Sequence, residues 1–261
     1  MKIILIHSYK GGAGKTTISV NLANQLSRDK KVLLIETDFK MPTFFGIFEK
    51  TSPKIFLNQF YQNTSTSLEK CIFSYNSSLD LIFADPQVNP QDPVHSWDKK
   101  WHATHLRRLK QELKKLEKKY DYVIFDTPPG AHFLVINNIA LANMAIIVVR
   151  PNSIAVKGTF KMIEDIYFKT RNPESFQMLL LFNQIPRISM TKELDEWSVK
   201  AESLKLKQAG RIPCSCEGVY QMSKGQNIFD SDHEIITYMQ SLISIVQGEE
   251  VLSIPDPTLE F

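Results

Sequence analysis

Cysteine is scarce in this chain, three residues in 261. Three thiols cannot close a disulfide framework, and their odd number points to a reducing compartment. Long apolar runs are missing as well. No stretch approaches the roughly 18 uninterrupted apolar residues that a membrane span needs. The apolar run ahead of the first glycines is too short for the core of a secretory signal. Neither charge sign dominates: 31 lysines and arginines stand against 28 acidic residues, a net charge of +3. That is too weak by itself to argue for nucleic acid. No internal repeat or low-complexity segment is visible. The expectation is a soluble, cytoplasmic protein.

What is present is enough for a core. Apolar residues make up 43% of the chain, and its 261 residues suffice for one large α/β domain. Short apolar runs alternate with helical patterns. This argues for a single-domain, mostly parallel, doubly wound α/β sheet with helices on both faces. The predicted strands are residues 2–7, 31–37, 79–84, 120–126, 144–149, 177–183 and a shorter 210–213. Most are apolar along nearly their whole length, as strands buried on both faces are. Helices are expected at 18–26, 105–119 and 156–170. Pro86, Pro90 and Pro93 make 85–102 an irregular connection or lid. The polar, helix-compatible stretch 189–208, with little periodic apolar character, reads as a surface excursion rather than a second domain. The domain is taken to span 1–250, with an acidic tail at 251–261 lying loosely on the surface.

Residues 10–17 read Lys-Gly-Gly-Ala-Gly-Lys-Thr-Thr between an apolar strand and a helix start. That context gives a glycine-rich motif the meaning of a P-loop. Gly11, Gly12 and Gly14 let successive backbone N–H groups turn inward on a phosphate. Ala13, Lys15, Thr16 and Thr17 complete the nucleotide-binding run, and the following helix adds its positive end. Lys15 is placed to reach the β- and γ-phosphates, and the Thr16 hydroxyl to ligate Mg²⁺.

Two strand-end carboxylates complete the arrangement. Asp126 falls at the C-terminal edge of the apolar strand 120–126, where open α/β sheets bind ligands. From there it can hold the magnesium through a water, and residues 127–130 form a loop able to sense the γ-phosphate. Asp38 ends the strand that follows the P-loop helix. It is the candidate for positioning the attacking water, and a helix N-cap or loop aspartate is the competing reading.

Lys10 ahead of two glycines, Asp38 closing the second strand and Asp126-Thr-Pro-Pro-Gly130 together resemble the deviant Walker A P-loop ATPases of the ParA/MinD family. Val148-Val-Arg-Pro151, Asn183 at the end of the sixth strand and Ile212-Pro213 fit in the family's order. The resemblance therefore covers nearly the whole chain, and in detail it is nearest archaeal ParA/MinD-like proteins. It implies ATP and Mg²⁺ as cofactors and a nucleotide-sandwich homodimer with two ATP molecules at the interface. Lys10 matches the signature lysine that reaches the partner's phosphates. Asn183 matches a position contacting the adenine, with the loop after Pro213 on the base's other side. Catalysis is thereby placed on Lys10, Lys15 and Asp38. Slow hydrolysis that times the positioning or partitioning of cargo, with a protein activator, is also implied. The chain departs from the family at Glu36-Thr-Asp38, where Asp-x-Asp is usual, and the role of Glu36 stays open.

Three surfaces come into question. In residues 106–119 Arg107, Arg108, Lys110, Lys114, Lys115, Lys118 and Lys119 stand against Glu112 and Glu117, with Leu106, Leu109, Leu113 and Leu116 on one face. Such a basic face can hold non-specific DNA in a salt-dependent way, or be an ordinary solvated helix. Residues 234–246 form an amphipathic helix without a cation on its polar face, which favours core packing over a membrane. Cys214 and Cys216 open an alternative, a metallochaperone or iron–sulfur or metal-insertion ATPase. Buried free thiols are the competing reading of that pair. His95, His102 and His105, around Trp97 and Trp101, are read as structural.

Overall fold

The structure, a computed structural model, describes residues 1–48, 51–87, 89, 98–186, 190–215, 233–251, 253–255 and 257. The strands are β1 (Lys2–His7), β2 (Val32–Glu36), β3 (Phe73–Ser74), β4 (Leu79–Ile82), β5 (Tyr122–Asp126), β6 (Met144–Val149), β7 (Gln177–Ile185) and β8 (Leu206–Pro213). They form one sheet in the order β3-β4-β2-β5-β1-β6-β7-β8, parallel throughout except β3, which runs antiparallel to β4. The helices are α1 (Lys15–Leu26), α2 (Phe44–Ile47), α3 (Leu57–Gln62), α4 (Lys99–Lys115), α5 (Phe133–Leu141), α6 (Ser153–Met162), α7 (Phe168–Thr170), α8 (Thr191–Ser203) and α9 (His233–Gln247). A π-helical turn, Ile163–Tyr167, joins α6 to α7.

Successive side chains of a strand point to opposite faces, so each strand feeds two cores. Leu5, Val123, Phe125, Ile147 and Leu180 pack on the side of α4, α5, α6 and α8. Ile4, Ile6, Ile124, Ile146 and Leu181 pack on the side of α1 and α9. This is why the strands read as continuous apolar runs. Fully burying a leucine or isoleucine is worth about 1.5–3 kcal/mol, and the sheet interior holds many of them. β5 lies between β1 and β2, and the order reverses beside β1 as the chain proceeds to β6. A doubly wound sheet opens its ligand crevice at such a reversal, at the carboxyl ends of the strands.

Several expected boundaries move, for local reasons. α4 starts at Lys99, because the Asp98 carboxylate caps it by accepting the Lys100 N–H at 2.8 Å. The stretch 189–208 is no loose excursion. It contains α8, which buries Leu194, Ser198 and Ala201 at helical spacing, and the first residues of β8. Three inward positions, two of them small, make too faint a stripe to read from sequence. The helix expected at 156–170 is broken by the π-helical turn. Described residues of the tail also pack: Val251 lies against the α1/α9 core and Pro257 is buried.

α9 turns Ile235, Tyr238, Met239, Leu242 and Val246 into the core. No helix among the described residues is long and apolar enough to cross a membrane. Leu242 is fully buried. Leu242→Ala is therefore expected to lower unfolding free energy in urea by about 2–5 kcal/mol. An unchanged midpoint would show that α9 is not part of the core.

Candidate nucleotide-binding site

The loop between β1 and α1 is built for an anion. Gly12 and Gly14 have φ of +73° and +90°, in the left-handed region that glycine tolerates. Gly14 caps α1 without a side-chain hydrogen bond, and no acidic residue occupies the first turn. The first N–H groups of α1 are thus left for a ligand, with the positive end of the helix behind them. A Cβ at Gly14 would lie 2.2 Å from Asn183 Nδ2, so a side chain there would displace that amide besides straining the dihedral angle.

Lys15 is only 8% exposed, and burial lowers its pKa against the pull of Asp126 and Asp38. The three groups therefore share one electrostatic environment at the top of the sheet. Asp126 is buried at the end of β5, and its Oδ2 accepts the Thr16 hydroxyl at 2.8 Å. Burial raises its carboxyl to about 6, against the Thr16 hydrogen bond and Lys15. Its other oxygen, Oδ1, is buried and meets no hydrogen-bond geometry among the described residues, although the Ser19 hydroxyl is near enough to pull the carboxyl down. A buried anionic oxygen left unpaired is costly. Beside a threonine hydroxyl and a phosphate cradle, it fits a hydrated Mg²⁺–nucleotide.

Asp38 lies two residues beyond β2, half-buried, and its Oδ1 accepts the N–H groups of Lys40 and Met41 at 3.2 and 3.1 Å. It is thus a loop-organising aspartate as well as a neighbour of Lys15. The carboxylate that terminates β2 is Glu36, and it points elsewhere. Its Oε1 accepts the N–H groups of Thr43 and Phe44 at the start of α2, and its Oε2 accepts the Ala84 N–H. Burial pushes its pKa up to about 8, with those N–H donors pulling it down. Lys10 is exposed on the rim of the loop, and its carbonyl accepts the Ser8 hydroxyl at 2.7 Å.

Asn183 and Pro213 share a cleft of about 40 Å³ that Thr17, Ile18 and Gln184 also line. The Asn183 Nδ2 donates to the Ala13 carbonyl at 2.8 Å, tying β7 to the phosphate loop. β7 does not stop there: it runs to Ile185 through Gln184, whose φ is +60°. The sequence does not single out Thr37, and names Thr127 only as the first residue of the 127–130 loop. Their hydroxyls donate to the Asp126 and Ile6 carbonyls at 2.8 and 2.7 Å and fix the end of β5. Threonines at strand ends carry no distinctive spacing.

The basic helix is less available than its composition implies. Arg108 is spent on the Phe60, Asn63 and Thr66 carbonyls, Lys115 pairs with Glu112, and Lys119 lies 3.9 Å from Asp80. Arg107, Lys110, Lys114 and Lys118 are exposed. Leu109, Leu113 and Leu116 are buried, whereas Leu106 is only partly so. His102 and His105 are buried near Trp101. Cys214 is exposed rather than buried, while Cys216, His95 and Trp97 lie outside the described residues. Among the described residues no group of three His, Cys, Asp or Glu side chains could hold a metal ion.

Comparison with known proteins agrees with this geometry. Residues 1–177 match the AAA_31 family, described as an AAA domain. A ParA family protein of Chlamydia trachomatis is 34% identical over 163 residues, 60% of this chain and 62% of that one. The septum site-determining protein MinD of Synechocystis is 29% identical over 166 residues, 62% of this chain and 58% of that one. The matches thus span about three fifths of these two relatives. Among solved structures, the McdA–ATP complex of Cyanothece superposes with a TM-score of 0.76 at 21% identity, covering 97% of this chain and 98% of that one.

Two outcomes test the site. Gly14→Ala forces a Cβ into Asn183 and strains the loop. It should weaken nucleotide binding in calorimetry by about tenfold or more, since about 1–3 kcal/mol of strain falls on the cradle itself. Glu36 gives a pH signature. Its folded pKa is raised from 4.5 to about 8, so between those values the folded chain holds a proton that the unfolded chain has lost. Stability should fall as pH rises across that window. Glu36→Gln should flatten the slope in urea titrations from pH 5 to 8, and an unchanged slope would contradict a protonated Glu36.

Proposed function

This chain belongs to the ParA/MinD-like P-loop ATPases, and we propose that it binds ATP with magnesium, dimerises on it and hydrolyses it slowly to position or partition a cargo. The observation that carries this reading is Asp126, a buried carboxylate with one oxygen on Thr16 and the other unpaired, beside an uncapped helix start. A bound magnesium–nucleotide supplies the missing partner for that oxygen and neutralises charge on the transferred phosphoryl group. The chain's own residues do the rest. Lys15 and the loop amides hold the phosphates, and the Asn183 cleft takes the base. Asp38, loosely committed to its turn, orients the attacking water.

Dimerisation is supported by what surrounds the loop. Of the six large apolar residues exposed among those described, Tyr9, Met41, Phe45 and Ile154 lie on connections leaving the carboxyl ends of β1, β2 and β6. Lys10 stands exposed among these connections. An apolar ring with a cation at a phosphate site suits a second copy that faces the same nucleotide. Lys10 then acts on the partner's phosphates, as an arginine finger does in trans. The cations still exposed on α4, Arg107, Lys110, Lys114 and Lys118, are where a phosphate backbone would be held. Retention of the ATP-loaded protein on duplex DNA at low salt decides whether DNA is the surface.

Light scattering with ADP and with ATP, magnesium present, tests the switch. The expected result is a mass that doubles with ATP alone. Asp38→Ala should double and stay doubled, with turnover reduced about 100-fold or more. Lys10→Ala should remain a monomer while still binding nucleotide. A wild-type mass indifferent to the third phosphate would remove the dimer from the account.

A further inference from the structure

His7 closes β1 and is fully buried, yet none of the phosphate-loop chemistry uses it. Both ring nitrogens are held. Nε2 lies 2.9 Å from the Gly130 carbonyl and Nδ1 lies 2.8 Å from the Tyr167 hydroxyl. A carbonyl only accepts, so Nε2 carries the proton and donates to it. A neutral imidazole then presents Nδ1 as an acceptor, and Tyr167 donates. Burial drives the imidazole down to about 3, against the pull of the Gly130 carbonyl and with the Lys15 charge adding to the fall. Burial also raises the Tyr167 phenol well above its ordinary value. The two protons therefore stay where the geometry puts them across the working pH range.

The two ends of this bridge belong to different parts of the molecule. Gly130 ends the loop that follows Asp126. Its N–H donates to the Ser8 carbonyl at 3.0 Å, so both its N–H and its C=O are tied to the entry of the phosphate loop. Its φ of +73° is what lets the backbone turn back to make both bonds. Tyr167 is the last residue of the π-helical turn that interrupts the α6–α7 helix. Such turns are frequent at functional sites, and this one contributes the phenol that reaches His7. The same helix is pressed on the loop a second time. The Tyr9 ring lies over Gly158, where a Cβ would come within 2.1 Å of Cε1.

We propose that His7 and Tyr167 are positioning residues that couple the 127–130 loop to the π-helical turn after α6, so that the presence of a third phosphate is passed to the helix carrying exposed Ile154. This rests on reading the site as a triphosphate switch. The bridge acts through Gly130 alone, whose carbonyl cannot shift without moving the imidazole and, through it, the phenol.

Hydrogen–deuterium exchange of wild-type protein, with magnesium and either ADP or a non-hydrolysable ATP analogue, reads the coupling without requiring turnover or dimers. Protection at 163–167 should differ between the two nucleotides by about threefold or more. Tyr167→Phe removes only the hydroxyl and should erase the difference, while α1 stays protected by both nucleotides. His7→Gln keeps a donor for the Gly130 carbonyl and drops the phenol arm. It should behave as Tyr167→Phe does and serves if that variant folds poorly. An undiminished difference in the variants, or protection of α1 with no difference at 163–167 in the wild type, overturns the coupling. Mass and phosphate release are measured in parallel. If those fail while the exchange difference persists, the dimerising-ATPase reading falls and the His7–Tyr167 coupling stands.

Discussion

Asp126 is a charged group taken out of water at the end of a central strand, and the arrangement of the whole upper edge of the sheet follows from keeping it there. Burial, with the nearby Asp38 charge, raises its pKa, and Thr16, Lys15 and Ser19 bring it part of the way back. Its backbone is fixed as firmly as its side chain. Its carbonyl accepts both the N–H and the hydroxyl of Thr37, each at 2.8 Å. Because β5 lies between β1 and β2, one residue is braced by the phosphate loop on one side and by the strand leading to Asp38 on the other. A carboxylate so placed, with an oxygen still unpaired, is the observation on which the proposed magnesium site rests.

The departure at Glu36 follows from the same crowding. Glu36 sits directly beside Asp126 in register across β2 and β5, and two ionised carboxylates in that interior would repel. The longer side chain turns away from the phosphates and spans to the N–H groups of Thr43, Phe44 and Ala84. It thereby fastens the start of α2 to the end of β4. Glu36 is a structural tie, and the catalytic role proposed for a carboxylate in this segment rests with Asp38, two residues beyond β2. The apolar residues exposed on the same connection, Met41 and Phe45, show that this segment is held in place from below and free above.

The sheet was legible because strands buried on both faces announce themselves as apolar runs, and the phosphate loop because glycines at 12 and 14 between such a strand and a helix have few other uses. Asp126 does end its strand, whereas Asp38, read as closing the second strand, lies two residues beyond β2, which ends at Glu36. Strand order was not legible: nothing local says that β5 inserts between β1 and β2, which depends on crossover connections. α8 was legible only as a helix-compatible surface stretch because just Leu194, Ser198 and Ala201 turn inward, and the π-helical turn was missed because sequence periodicity does not register one extra residue. His7 was passed over as the end of a strand. Its meaning lies in Gly130 and Tyr167, 123 and 160 residues away. Charge on α4 misled for a related reason. Composition counts Arg108 as a surface cation, whereas in the fold its guanidinium lies over the Phe60 ring and binds three carbonyls.

The most direct test of Asp126 as the holder of a magnesium–nucleotide is calorimetric binding of a non-hydrolysable ATP analogue with and without magnesium, in wild type and Asp126→Asn. Magnesium should raise affinity in the wild type by about tenfold or more and leave Asp126→Asn nearly unchanged, since the variant removes the charge and keeps the shape. An equal magnesium effect in both proteins would contradict the placement of the cation at Asp126.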